Sequence, residues 1–341
     1  MASPLVGTVI ITGGSGALGS AIAVAIAKKQ PLAHLLLAVR DTSAESVQQV
    51  IEKIRGIGPR SVEAARVDLT RFASVNEFAS NTVQRIKRKD IPPIIALVNS
   101  AATLSYVSDP LTTDGFDPVY QTNCLSPFLL TVSLLGGFRA GTGDADSGAL
   151  VLNIGCSAMS DGELDYFERK WGQGGSTPGT PLRAKEGNIR FGSSKLLMSA
   201  AMYGLRRSLR LAGNIPLNIC TLDPGGMAGN SRLSTNMPSS VRFTHRTRAS
   251  LRPLMRIFSK TAMNTTNVPA KIVAKLAFDD NPPQDSELDR YYILDDVYEA
   301  SSIIRVLREQ TKMEELLRMM MQQVRLGMEG MQSPSPAPSS M

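Results

Sequence analysis

An apolar run from Val6 to Ile11 empties directly into Thr12, Gly13, Gly14, Ser15, Gly16, Ala17, Leu18 and Gly19, and nothing else in this chain restricts its fold as tightly. A buried strand followed by glycines at these spacings predicts a strand, a tight turn and a helix. Gly13 permits the turn, Gly16 lets backbone approach a pyrophosphate, and Gly19 lets the helix pack against the strand, so that its first amides face the phosphates.

The flanking residues agree with that reading. Ile22, Ala23 and Ile26 continue an apolar helical stripe, and His34 to Val39 reads as a second buried strand. Arg40 follows that strand, where a dinucleotide fold usually presents an acidic residue to the ribose hydroxyls. A guanidinium there suits a 2′-phosphate, which favours NADP(H) over NAD(H). Taken alone, Arg40 would read as a surface charge.

Further apolar runs at Val62 to Val67, Ile94 to Val98, Ala149 to Ile154 and Leu217 to Leu222 alternate with amphipathic stretches. Strand and helix in alternation predict an α/β, Rossmann-type, doubly wound parallel sheet whose ligand crevice lies at the carboxyl ends of the strands. Those ends carry Asp68 and Leu69, Asn99 to Ala102, Gly155 to Ser157, and Asp223 to Gly226. A chain of 341 residues, 43% of them hydrophobic, suits one large domain over residues 1–300 with extensions. Gly141 to Gly148 reads as a loop within it.

The formal charge of +7 is spread along the chain with little aromatic interleaving, which argues against nucleic acid. The run Arg85 to Lys89 closes a helix, where cations complement the dipole. Three cysteines without metal-ligand spacing predict no metal site and a reducing compartment, so the expected location is cytoplasmic. No apolar stretch is long and uninterrupted enough for a transmembrane segment, and nothing at the N-terminus resembles a signal peptide.

Taken together, the glycine turn, Asp68 with Leu69, Asn99 to Ala102, Asn123, Lys195, and Pro224 with Gly225 resemble the short-chain dehydrogenase/reductases in order and spacing over about the first 230 residues. The stretch Arg190 to Leu196, the insertion before it and Asp223 to Arg232 are most similar to retinol-dehydrogenase-like members and to reductases of fungal biosynthetic pathways. The resemblance implies an enzyme that holds NADP(H) with Gly13, Ser15, Gly16, Leu18, Gly19 and Arg40. Asp68 and Leu69 would meet the adenine end, Asn99 and Ala101 would line the cofactor, and Pro224 and Gly225 would approach the nicotinamide amide. Lys195 would bond the nicotinamide ribose, and Asn123 would anchor a proton relay. A small-molecule substrate is implied, and homo-oligomerisation is left open.

Two departures bear on the chemistry. The family's catalytic Tyr stands four residues before the Lys, on the same helix face, where the ammonium lowers its pKa for proton transfer. Here that position is Phe191. The family's Ser after the fifth strand falls on Cys156 when counted from Asn153, with Ser157 one residue later; a one-residue adjustment would bring Ser157 in. Tyr166, four residues before Lys170 in an inserted loop, is a candidate proton donor or a wall aromatic, and Asp165 and Glu163 share that ambiguity. Tyr106 is a candidate to face the nicotinamide, Tyr203 reads as packing, and His245 lacks a visible partner.

Residues 227–265 are expected to form a basic lid, with Leu251, Leu254, Met255 and Phe258 on one apolar face and arginines that read first as a solvated basic face, a grip on an acidic substrate or a membrane surface being the alternative. Val268 to Phe278 reads as a helix, Arg290 to Leu294 as an edge strand, residues 301–330 as an amphipathic helix, and 331–341 as a disordered tail. The function this predicts is reduction of an activated small molecule (iminium, enone or polarised ketone) in a secondary-metabolite pathway. A cyclase, isomerase or pericyclase without net redox turnover, and a non-catalytic NADPH-binding partner, are the alternatives.

Overall fold

The computed structural model describes residues 6–139, 148–172, 177–213, 217–227, 238–239, 241–243, 247, 264–278, 291–294, 296–297 and 309–329. The first strand, β1 (Gly7–Thr12), is buried along its whole length. It feeds helix α1 (Ala17–Lys29) and then β2 (Ala33–Val39), which is equally buried. Continuous apolar runs are what strands covered on both faces require.

After α2 (Glu45–Arg55) come β3 (Ser61–Arg66), α3 (Phe72–Lys87) and β4 (Ile94–Asn99). A short α4 (Pro118–Tyr120) runs through a π-helical turn (Gln121–Leu125) into α5 (Ser126–Ser133). β5 (Ala149–Ile154), α6 (Tyr166–Gly172), α7 (Ala184–Leu211) and β6 (Leu217–Asp223) follow. Then come α8 (Asn267–Phe278), β7 (Tyr291–Ile293), β8 (Asp296–Val297) and α9 (Gln310–Glu329).

The strands form one eight-stranded sheet in the order β3-β2-β1-β4-β5-β6-β7-β8, parallel except for the last pair. Strand order reverses between β1 and β4, which opens the ligand crevice at their carboxyl ends. The period-2 alternation of side chains divides the core. Ile10 faces α3, α5, α7 and α9, whereas Val9 and Ile11 face α1, α2 and α8.

The predicted doubly wound sheet is present, and its strand bounds agree with the apolar runs to within a residue or two. Two expectations need correction: the strand read as the edge, β7, is paired on its outer side by β8, and the insertion is not all loop. The insertion read as a loop contains α6, because Tyr166 and Phe167 have a buried surface to pack on. The amphipathic helix expected over 301–330 is described from Gln310 to Glu329; Ile303, Ile304 and Leu307 lie outside the described residues. So do the 141–147 part of the predicted loop, the 331–341 tail and nearly all of the lid, including its apolar stripe and His245. Met227 bridges Asn264, and Asn264 N donates to the Gly226 carbonyl at 2.5 Å.

Candidate active site

The glycine turn has the shape its sequence requires. Gly13 adopts φ +66°, and a Cβ on Gly19 would come within 2.3 Å of the Gly13 carbonyl oxygen. Only glycine permits that left-handed turn together with so close a helix. Thr12 Oγ1 accepts from Ala101 N at 3.1 Å, which ties the strap after β4 to the cradle. Ser15 and Gly16 line the turn, while Leu18 is buried in the core beneath it.

Arg40 is exposed at the end of β2, with no ion-pair partner among the described residues. Asp68 accepts from Thr70 N at 3.0 Å and from Thr70 Oγ1 at 2.7 Å. Leu69 is buried, and its carbonyl accepts from Ser126 Oγ at 2.6 Å. Asn99 donates from Nδ2 to Asn153 Oδ1 across the strands at 2.9 Å, while its own buried Oδ1 has no hydrogen-bond partner among the described residues. Pro224 is buried, and Gly225, at φ +70°, donates from its N to Asp223 Oδ1 at 2.8 Å.

At the other side of the crevice, α7 brings Phe191 and Lys195 onto one face, four residues apart. Gly192 makes this possible: a Cβ there would lie 2.0 Å from the Ala158 carbonyl oxygen, so α7 touches the turn after β5 backbone to backbone. Lys195 is 2% exposed and its ammonium has no hydrogen-bond partner among the described residues. Burial holds its pKa down to about 8.

Asn123 sits in the π-helical turn, where one extra residue per turn aims a side chain that an α-helix would rotate away. Its Oδ1 accepts from Thr103 N at 2.8 Å; its Nδ2 donates to the Thr103 carbonyl at 2.8 Å and to Ser194 Oγ at 3.0 Å. Ser194 in turn donates to the Phe191 carbonyl at 2.7 Å. Asn123 and the Phe191–Lys195 face are thus one connected unit.

Of the two candidates after β5, Cys156 is partly buried and Ser157 is exposed at the start of a 3₁₀ turn. Burial pushes the Cys156 thiol up to about 12, against the pull of Lys195. The thiol is therefore neutral and stands within electrostatic reach of Lys195, with Ser157 following it at the start of the 3₁₀ turn. Asp223, beside it, is raised above the usual carboxylate range by burial.

The substitute tyrosines are engaged elsewhere. Tyr166 is buried edge-on to Phe167, its phenol pushed up to about 12 by burial. Tyr106, a candidate to face the nicotinamide, packs on Gly187, with its hydroxyl 2.8 Å from Asn188 Oδ1. Tyr203 lies in the core. Glu163 and Asp165 pair with Arg169.

A network that sequence reasoning missed surrounds this face. Arg190, 4% exposed, bonds Asp117 and Asp109 and donates from Nη1 to the Val107 carbonyl at 2.9 Å. Its position next to Phe191 was visible, but its partners lie more than seventy residues away. Ser194 was missed for the same reason, and Thr103 because its partner Asn123 lies 20 residues on in a different element. Among the described residues no group of acidic, cysteine or histidine side chains forms a metal site, and no helix is long and apolar enough to cross a membrane. A cavity of about 550 Å³ lined by His34, Arg60, Arg85 and Lys89 lies at the amino ends of the strands, away from the crevice.

A parallel sheet with a glycine cradle at its switch point, facing a buried lysine on a long helix, defines a Rossmann-type dinucleotide-binding protein. Residues 7–162 match the family model described as short chain dehydrogenase, and the cradle, Asp68, the strap after β4 and Asn123 all stand within that matched segment. The chain is 38% identical over 134 residues to the short-chain dehydrogenase iccH of Talaromyces variabilis, covering 38% of this chain and 36% of that one. It is 32% identical over 166 residues to retinol dehydrogenase 13 of Mus musculus, covering 48% and 45%. Each match thus spans less than half of the relative. Among solved structures, a short chain dehydrogenase from Burkholderia cenocepacia in complex with NADP shares the fold, with a TM-score of 0.57, 18% identity and coverage of 84% and 95%.

Proposed function

We propose that this chain is an NADP(H)-dependent reductase of the short-chain dehydrogenase type that acts on an activated small molecule, an iminium, enone or polarised ketone, in a cytoplasmic secondary-metabolite pathway. The observation that carries this reading is the pairing of Lys195 with Phe191: a cofactor half with its parts in place, beside a proton half that lacks its phenol. The cradle supports it, since a Cβ on Gly13 would meet Ala101 and one on Gly16 or Gly19 the Gly13 carbonyl oxygen, so the glycines keep the turn tight enough for the first amides of α1 to face a pyrophosphate, and Arg40 is free to meet a 2′-phosphate.

Bound there, the nicotinamide would supply a hydride. The protein would do the rest by placement. Lys195 would donate to the nicotinamide ribose, and Gly13, Ser15 and Gly16 would seat the phosphates. Asp68 and Leu69 would border the adenine, Asn99 and Ala101 would flank the cofactor through the strap, and Pro224 and Gly225 would border the carboxamide. Asn123 would hold Ser194 and the strap in register. Cys156, a neutral thiol, would offer a weak hydrogen bond to the substrate.

Magnitudes favour activated acceptors. General acid–base catalysis contributes about 10² to 10⁴ in rate, or roughly 3–5 kcal/mol, whereas positioning contributes roughly 7–11 kcal/mol. Without a phenol the second contribution survives. A cationic acceptor such as an iminium takes hydride without needing a proton on the receiving atom.

Phe191 also favours a second reading, a cyclase, isomerase or pericyclase that uses the pocket as a scaffold. Product analysis with NADPH, NADP⁺ and no cofactor in parallel separates the two. Deuterium transfer from 4-deuterated NADPH into product is expected for the reductase; product formation without cofactor would establish the second reading, and tight NADPH binding with no product from any iminium, enone or ketone would point to a non-catalytic partner.

A further inference from the structure

The π-helical turn that aims Asn123 is gripped from outside by the C-terminal helix. Tyr120, three residues before Asn123, donates from its hydroxyl to Gln323 Oε1 of α9 at 2.7 Å, with Met320 Sδ at 3.4 Å. Cys124, one residue after Asn123, has its sulfur 3.9 Å from the same Met320 Sδ. Tyr120 and Cys124 are both buried, and Met320 is 0% exposed. On its other side the Tyr120 ring stacks on Phe167 of α6, with centroids 4.4 Å apart and planes within 13°. One helix therefore holds both flanks of Asn123.

A π-turn holds one more residue than an α-turn and survives only where its surroundings support it. Relaxed by one residue, the turn would rotate Asn123 by about 100°, one residue's share of an α-helical turn. The bonds to Thr103 and Ser194 would then be lost. We infer that α9 is a positioning element of the candidate site: Gln323 and Met320, through Tyr120 and Cys124, fix the π-turn that aims Asn123 at Thr103 and Ser194. The inference rests on the reading of Asn123 as a site residue for its link to turnover, but its structural half stands apart from any reaction.

The test joins a structural and a kinetic readout on the full chain. Thr103 N–H is held by Asn123 Oδ1, so its amide hydrogen exchange reports the aim of Asn123 directly. Gln323→Leu should speed that exchange about five- to ten-fold, the worth of one hydrogen bond, while exchange in the β1 and β4 core stays unchanged. Turnover of NADPH should fall by a similar factor with KM for NADPH within about two-fold, the signature of a lost positioning contact. Gln323→Glu, which keeps an acceptor for the Tyr120 hydroxyl, should restore both readouts. Tyr120→Phe, which preserves the stack on Phe167, should reproduce the loss and make Gln323→Leu silent in its background; it also serves should Gln323→Leu fail to fold. Unchanged Thr103 exchange in Tyr120→Phe, or acceleration spread evenly over the core, would overturn the inference. Faster Thr103 exchange in a chain that turns over no substrate would instead retain the positioning role and reject the reductase.

Discussion

Asn123 donates to Ser194 Oγ at 3.0 Å, and Ser194 passes the connection on to the Phe191 carbonyl at 2.7 Å. The helix face that carries Phe191 and Lys195 is therefore held in register with the strap after β4, although its aromatic ring has no proton to give. Installing that proton is the most direct question to put to the site. Phe191→Tyr places a phenol one turn before the Lys195 ammonium, which would lower its pKa toward a useful range. Reduction of a simple ketone with NADPH should rise by about 10²-fold in kcat/KM, and Cys156→Ser in the same background should raise it further. A variant that gains no ketone reduction and loses the native product would instead fit a pocket specialised for scaffold chemistry.

Arg40 leads to a test of cofactor choice. It is exposed and, among the described residues, unpaired, so its removal should leave stability within about 0.5 kcal/mol. Arg40→Ala should weaken NADPH binding by about 10- to 100-fold, the worth of a charge-assisted hydrogen bond or two. NADH binding should change little. Titration of cofactor fluorescence in wild type and variant checks this, and an equal loss for both cofactors would remove Arg40 from the 2′-phosphate role.

Much of this was legible because it is local. The cradle is eight consecutive residues, and the strands are runs whose burial follows from apolarity alone. What sequence withheld is long-range. Nothing near Arg190 announces that its guanidinium meets Asp109 and Asp117. Nothing in the tail announces that Gln323 reaches Tyr120. Nor does the spacing Gln121 to Leu125 reveal a π-turn, since the extra residue is accommodated by packing rather than by composition.

Arg190 itself is a stability element beside the site. Its guanidinium is almost wholly buried and holds two carboxylates that are about one quarter exposed. Arg190→Met would leave those acids without their cation and should destabilise the fold by about 3–5 kcal/mol, lowering Tm by roughly 10 °C for a chain of this size. Arg190→Lys should recover only part, because an ammonium cannot span Asp109, Asp117 and the Val107 carbonyl in the fork geometry of a guanidinium. Thermal unfolding of the three proteins decides it; a fully stable Arg190→Met would show the network to be dispensable.

Lys195 leads to the prediction with a definite sign in pH. Its pKa falls from 10.5 to about 8 because burial disfavours the ammonium, so between those values the folded chain binds fewer protons than the unfolded one. Stability therefore rises with pH through that window and carries its full penalty below pH 8. The penalty is of the order of a few kcal/mol, at about 1.4 kcal/mol per pKa unit. Lys195→Met, which fills the same volume without a charge, should accordingly raise the Tm of the cofactor-free protein at pH 7 by several degrees, and that advantage should shrink toward nothing by pH 10.5. The same variant should lose NADPH turnover, since the amine is what would hold the nicotinamide ribose. A substitution that stabilises while it inactivates is the mark of a residue kept for function at the expense of the fold. Equal Tm values for wild type and variant across pH 7 to 10.5 would mean that the ammonium is solvated in the free protein and that its burial costs the fold nothing.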